Sequence, residues 1–374
     1  MIKTLERALA ALMLASIATT CCSMTVVVGQ VAPLSGLNAT DGRAYSSGIE
    51  LYFNEINRTG GVNGHSITLV RRDDGGRPDD TVIATRDLLS SNKPLVLTGY
   101  FGNPNVASLV SSGLLQAEKV PLVGYRSWNV RPDTPWLYNV RAGLREEIGK
   151  LSEHLSTIGI TRLGLFYEAG PGAPDLLLFT QEAAKKAGAE VLVKASYPPG
   201  TAKVADAINP FIQTPPQAII MVASGAASAA FIEQYRAAGG TAQIFAHSSA
   251  DVEQMAKRLS DQQLKGVAIA QVTPNPYRVT TRIAKELNDL LARTGKSDTP
   301  VSYAMMEGFI TAKVIVEVIR RLGRTPSREG FVATLDTLDN FDVGGFVVSF
   351  KSGRHVGSRF VELSIVTEAG KIRQ

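Results

Sequence analysis

From Thr25 onward the apolar positions alternate between two spacings. Short runs such as "TVVVGQV", "SITLVRRDD", "PLVLT" and "VPLVGY" are continuous or alternating in apolar character and read as strands. Between them, apolar residues recur every three or four positions. In "DGRAYSSGIELYFNEINRTGG", Tyr45, Ile49, Tyr52, Phe53 and Ile56 fall on one helical face. Asp41 is expected as the N-cap of that helix, and Gly60-Gly61 ends it. "PDDTVIATRDLLSSN" is a second helix, with Asp79 as its expected cap. Strands alternating with helices predict an α/β fold with mainly parallel sheet and helices on both faces.

The rhythm breaks at "PDTPWLYNVRAG" and then restarts. "RLGLFYE", "EVLVKASY", "QAIIMVAS", "QIFAHSS" and "GVAIAQV" read as strands separated by helices such as "AKVADAINPFIQ". The joints "LVLTGYFGNPNVASLV" and "AIIMVASGAASAAFIE" share a design: buried strand, small-residue turn, helix. Two helices follow, from Tyr277 to Arg293 and from Ser302 to Leu322, and another opens after Thr325-Pro326. The chain then ends in hairpin-like strands. Returning the late helices to the first unit and the last strands to the second gives lobe 1 as 25–142 plus 273–343 and lobe 2 as 143–272 plus 344–374. The chain then crosses between lobes three times.

Composition agrees with a two-domain chain: 374 residues, 44% hydrophobic and 20% charged. The net charge of +5 is spread without a basic run, which points to a solvated surface and away from nucleic acid. Lys3 and Arg7 precede an apolar stretch from Ala8 to Ala18, followed by small residues. This is the layout of a signal peptide, assigned to residues 1–23, on an exported, extracytoplasmic protein. The stretch is too short to span a bilayer. Cleavage fits either Ser16-Ile17-Ala18 or Cys21-Cys22-Ser23. A lipid anchor on Cys21 or Cys22 is the less favoured alternative, because Thr20 or Cys21 fits poorly before the modified cysteine. No cysteine follows Cys22, so the body is expected to hold together without disulfides.

The chain lacks G-x-S-x-G, P-loop and H-E-x-x-H patterns, and His65, His154, His247 and His355 are scattered. No catalytic residue, metal or cofactor is therefore expected. The one suggestive joint is "TGYFGNPNVASL". Its Gly99-x-x-Gly102 spacing is not a dinucleotide fingerprint. Asn103-Pro104 reads as an N-cap and first-turn proline, placing a helix N-terminus at the carboxyl edge of the sheet, where open α/β sheets bind ligands. The alternative is a capped tight connection.

From Val27 to about Val366 the sequence resembles the periplasmic solute-binding proteins of branched-chain amino-acid type that serve ABC importers. "GQVAPLSG" matches their first strand and loop. "GIELYFNEINRTGGVNGHSITLVRRDDGGRPDDTVIATRDLL" matches the next helix, turn, strand and helix. "VPLVGY" and "SYAMMEGFITAKVIVEVI" follow in register. The resemblance implies two Rossmann-like lobes joined by a three-crossover hinge, with an amino acid or other small carboxylate trapped between them. It implies an ABC permease as partner and a monomer; a sensing module of the same fold is the alternative. By position it places the carboxylate grip on Gly102, Asn103 and Pro104 with Arg126, Ser127 and Trp128. Asp41 is either a helix cap or the partner of an amino group, because the family's acid position falls on His247, Ser248 or Ser249, with no acid before Asp251. Gly172 and Gly225 stand near the second lobe's usual aromatics and leave room, while Phe101, Trp128 and Tyr303 would form apolar walls.

Overall fold

The computed structural model describes residues 25–294, 299–366 and 372–373. The expected signal peptide, with Cys21 and Cys22, lies outside the described residues. The first half runs β1 (Thr25–Ala32), α1 (Ala39–Arg58), β2 (Ser66–Asp73), α2 (Pro78–Asn92), β3 (Val96–Phe101), α3 (Asn103–Ser111), α4 (Leu114–Ala117), β4 (Leu122–Arg126) and β5 (Leu137–Tyr138). These strands form a parallel sheet in the order β2-β1-β3-β4-β5. β3 is buried along its whole length, as a strand covered on both faces must be.

The second sheet is built from α5 (Leu144–Thr157), β6 (Arg162–Glu168), α6 (Ala173–Lys186), β7 (Glu190–Tyr197), α7 (Ile208–Gln213), β8 (Ala218–Val222), α8 (Gly225–Ala237), β9 (Gln243–Ala246), α9 (Val252–Arg258), α10 (Asp261–Leu264) and β10 (Val267–Gln271). α11 (Arg282–Thr294), α12 (Tyr303–Leu322) and α13 (Arg328–Leu335) follow, then the hairpin β11 (Phe341–Asp342) and β12 (Val347–Val348). Last come β13 (Glu362–Val366) and β14 (Ile372–Arg373), which extend the second sheet antiparallel beyond β10. Its order is β14-β13-β10-β9-β8-β6-β7. The alternation of two periods thus produces two α/β lobes with mainly parallel sheets.

The late helices return to the first lobe. Ile283, Leu287, Phe309, Ile315 and Phe331 share one core with Val28, Tyr45 and Val96. α12 and α1 cross closely because both carry glycine at the contact. A Cβ at Gly48 would stand 2.1 Å from the Met305 carbonyl oxygen, and one at Gly308 2.1 Å from that of Tyr45. The first core also takes in Phe346, Val348 and Phe350, so the passage to the second lobe falls later than the expected 343/344 boundary. These side chains close the first core before the chain leaves it. Two crossing segments run side by side: the Asn139 N–H donates to the His355 carbonyl (2.8 Å) and the Gly357 N–H to that of Asn139 (2.7 Å).

Several helix starts differ from expectation. α1 begins at Ala39 after Asn38, so Asp41 lies inside the first turn and is no cap. α2 takes Arg77 as its cap residue and Pro78 as its first, leaving Asp79 in the first turn. In α3 the cap residue is Gly102, at φ 96°, and Asn103 is already helical. The helix expected from Tyr277 starts at Arg282, and that expected over 202–213 is reduced to a 3-10 turn and α7.

Candidate functional site

The carboxyl ends of the central strands of both sheets meet at a cavity of about 150 Å³. Phe101 and Arg126 end β3 and β4, Glu168 ends β6, Ser224-Gly225 stand just beyond β8, and His247 directly follows β9. The crossing segment supplies Asn139 and Arg141, and α5 supplies Glu147. In parallel sheets this edge gathers loops and helix starts, so polar side chains converge there without disturbing the cores beneath.

The two expected grip loops meet through Asn103. Its Oδ1 accepts the Trp128 N–H at 3.0 Å and lies 3.0 Å from Ser127 Oγ. Its Nδ2 donates across the cleft to Glu168 Oε2. The other oxygen of Glu168 accepts the Gly200 N–H at 2.8 Å. Burial raises the pKa of this carboxyl, against those two donors. The Trp128 ring leaves its own loop and packs with Ile148, Leu151 and Leu176 of the second lobe.

Beside this bridge lies a buried charge network. Arg126 Nε is 3.0 Å from Glu307 Oε2, while its Nη1 is 3.5 Å from Asp41 and 3.8 Å from Asp251. Burial disfavours the Arg126 charge, but these three acids outweigh it and raise the pKa above its ordinary value. The Arg126 guanidinium carbon is also 5.6 Å from the centre of the Phe101 ring. Arg141 is 3.1 Å from Glu147 and 3.4 Å from Glu307, and it touches Ser248 Oγ. Glu147 lies 2.9 Å from His247 Nε2 and accepts the Ser248 N–H at 2.9 Å. Burial alone would raise Glu147; His247, Arg141 and the Ser248 N–H instead bring it down to about 2. Burial and the neighbouring Asp251 push Asp41 well above its ordinary range, with Arg126 opposing them.

Of the expected site residues, Asp41, Phe101, Gly102, Asn103, Pro104, Arg126, Ser127, Trp128 and Gly225 line the cavity. Three do not. Gly172 packs beneath the crossing loop, where a Cβ would stand 2.3 Å from that of Asn129 and 3.1 Å from the Trp128 ring. Ser248 is buried against Glu147 and Arg141 and positions them. Tyr303 belongs to the second lobe's core, its hydroxyl 3.3 Å from Ser364 Oγ and its N–H on Glu253 at 3.0 Å. Sequence reasoning missed Asn139, Arg141, Glu147, Glu168 and Glu307. Glu307 carried a readable signal: it is the one acid inside the otherwise uncharged run "YAMMEGFITA".

The periplasmic binding protein family pattern matches residues 25–370. The chain belongs to the periplasmic binding protein family. This family and fold are those of substrate-binding proteins of ABC-transporter type, and of extracytoplasmic proteins. No helix among the described residues is long and apolar enough to cross a membrane. A substrate-binding periplasmic protein from Ralstonia solanacearum superposes with TM-score 0.87 at 36% identity, over 93% of this chain and 99% of that one. The Leu/Ile/Val-binding protein homolog 8 of Brucella suis is 22% identical over 90% of this chain and 87% of its own. An amino acid binding protein of Pseudomonas aeruginosa is 36% identical over 76 residues, which span 20% of each chain. A branched chain amino acid ABC transporter structure from Thermus thermophilus with bound valine shares this periplasmic binding protein's fold, with TM-score 0.79 at 14% identity over 94% and 95% of the two chains.

Proposed function

We propose that this protein is the solute-capturing component of an ABC importer. It works outside the cytoplasm as a monomer, takes an amino acid or other small carboxylate into the interlobe cavity, and delivers it to a membrane permease. The observation that carries this reading is the placement of paired charges of both signs at one cavity where two parallel sheets present their carboxyl ends. Carboxylates there can meet an ammonium group, and guanidinium groups can meet a carboxylate. The relatives' names support the ligand class: one is a Leu/Ile/Val-binding protein homolog and another structure holds valine. Closing the lobes excludes water from the cavity and strengthens each charged contact.

The ligand-binding residues in this reading are Asp41, Phe101, Gly102, Asn103, Arg126, Ser127 and Trp128 of the first lobe and its loops, with Gly225 from the second. The test is a thermal-shift screen of the mature chain against the twenty common amino acids and a set of aromatic and apolar acids. Native mass spectrometry of freshly purified protein accompanies it. A ligand at a hundred times its dissociation constant stabilises by about 2.7 kcal/mol, which such a screen detects. No shift with any compound and no co-purifying solute would refute the reading.

A further inference from the structure

The cations lining the cavity are already engaged. Arg126 faces Glu307, Asp41 and Asp251, and Arg141 faces Glu147 and Glu307. On the opposite wall Glu168 receives only N–H donors, from Asn103 and Gly200, and no cation among the described residues pairs with it. Five carboxyl groups thus meet two guanidiniums at one small cavity, and burial, which disfavours their charged forms, raises the pKa of Asp41 and Glu168. A second observation is independent of charge. Asn139 lines the cavity, is only 6% exposed, and has an Oδ1 without a hydrogen-bond partner. Its Nδ2 is committed to the Tyr125 carbonyl at 3.0 Å, which fixes Oδ1 as the acceptor left over. Two donors of the expected anion grip are meanwhile occupied, since the Trp128 N–H and the Ser127 hydroxyl both meet Asn103 Oδ1.

We propose that the cleft takes a solute whose positive charges outnumber its negative ones, an ammonium- or guanidinium-bearing compound of basic amino-acid type, received by Asp41 and Glu168 from opposite walls. The proposal rests on the reading that this cleft captures a small solute, and it names the charge class. Ionising these buried carboxyls is costly without a counter-charge, and an incoming cation supplies one. A zwitterion such as leucine brings no net counter-charge, and an acid adds negative charge. Ammonium and guanidinium groups are also rich in donors, which suits the unpaired Asn139 acceptor.

The experiment compares L-arginine, L-lysine and L-ornithine with L-leucine, L-glutamate and phenylacetate by thermal shift and calorimetric titration of the mature protein. The basic set is expected to raise the melting midpoint and to titrate. Asp41→Asn is expected to weaken that binding about ten-fold or more, and Glu168→Gln, on the opposite wall, provides a second variant should the first fail to fold. A response to the neutral or acidic set alone overturns the charge proposal and leaves the solute-binding reading standing. A net neutral or anionic solute found by native mass spectrometry overturns it in the same way. No response to either set, with no solute co-purifying, overturns both.

Discussion

Replacing Glu147 with glutamine isolates what the buried charge network contributes to stability. Glu147 is fully buried and gathers Arg141, His247 and the Ser248 N–H. Burial acts to raise its pKa, yet these partners hold it at about 2 against an ordinary 4.5. That difference, roughly 2.5 pH units at about 1.36 kcal/mol each, corresponds to about 3 kcal/mol of folding free energy. The folded-state pKa lies below the unfolded one. The contribution is therefore complete above pH 4.5 and is lost as the pH falls towards 2. Glutamine keeps the shape and still accepts the Ser248 N–H, but it carries no charge. E147Q should unfold at lower urea than the parent protein at pH 7, by about 3 kcal/mol, with the gap closing through the acid range. Urea titrations of both proteins from pH 7 to pH 2, followed by tryptophan fluorescence, read this directly, since Trp128 packs against Ile148 one residue away. Equal stability at pH 7, or a gap that does not change with pH, would show that Glu147 is not held charged by its partners.

Three further outcomes are expected. Burial and Asp251 push Glu253 up to about 7, so its stabilising contribution is complete below pH 4.5 and lost as the pH rises to 7; E253Q should gain stability relative to the parent above pH 7, and melting curves at pH 5 and pH 8 with an unchanged difference between the proteins would contradict this. Gly48→Ala places a methyl group 2.1 Å from the Met305 carbonyl oxygen, so α1 and α12 must separate; a loss of about 2 kcal/mol or more in urea unfolding is expected, and a neutral result would mean the helices part freely. Asn103→Ala removes the acceptor of the Trp128 N–H and a donor to Glu168, which should cost about 1–3 kcal/mol and shift Trp128 emission; an unaltered spectrum and midpoint would show that the bridge contributes nothing.

The lobes were legible because hydrophobic period is local: a buried strand such as "PLVLT" and an amphipathic helix such as 41–61 announce themselves within one window. The family resemblance placed the tail. The charge network was not legible, because its partners are far apart in the chain. Arg126 and Glu307 are separated by 181 positions, and Glu147 and Ser248 by 101. Arg126 accordingly read as a free cation awaiting a ligand carboxylate, whereas three internal carboxylates already surround it. Asp251 does reach the Arg126 cluster, since its positive φ of 49° turns the chain at the start of α9 and its side chain caps that helix.

A one-residue difference at the start of α3 decides how the opening loop works. With Asn103 as the cap, its side-chain oxygen would be spent on an N–H of its own helix. Gly102 takes the cap position instead, in a left-handed conformation where a Cβ would press to 2.8 Å from Asn105 Oδ1. The Asn103 side chain is thereby free to reach outward, and it joins the Trp128 loop to Glu168 of the other lobe. A serine or threonine hydroxyl offers one donor and stands on a shorter stem, so it could not hold both partners at once. Arg126 spans the lobes in the same manner, between Glu307 and Asp41 on one side and Asp251 on the other. A separation of the lobes at these residues must break both links. In the proposed reading, lobe position and cleft charge are one equilibrium, and a ligand that compensates the buried carboxyls would favour the closed arrangement.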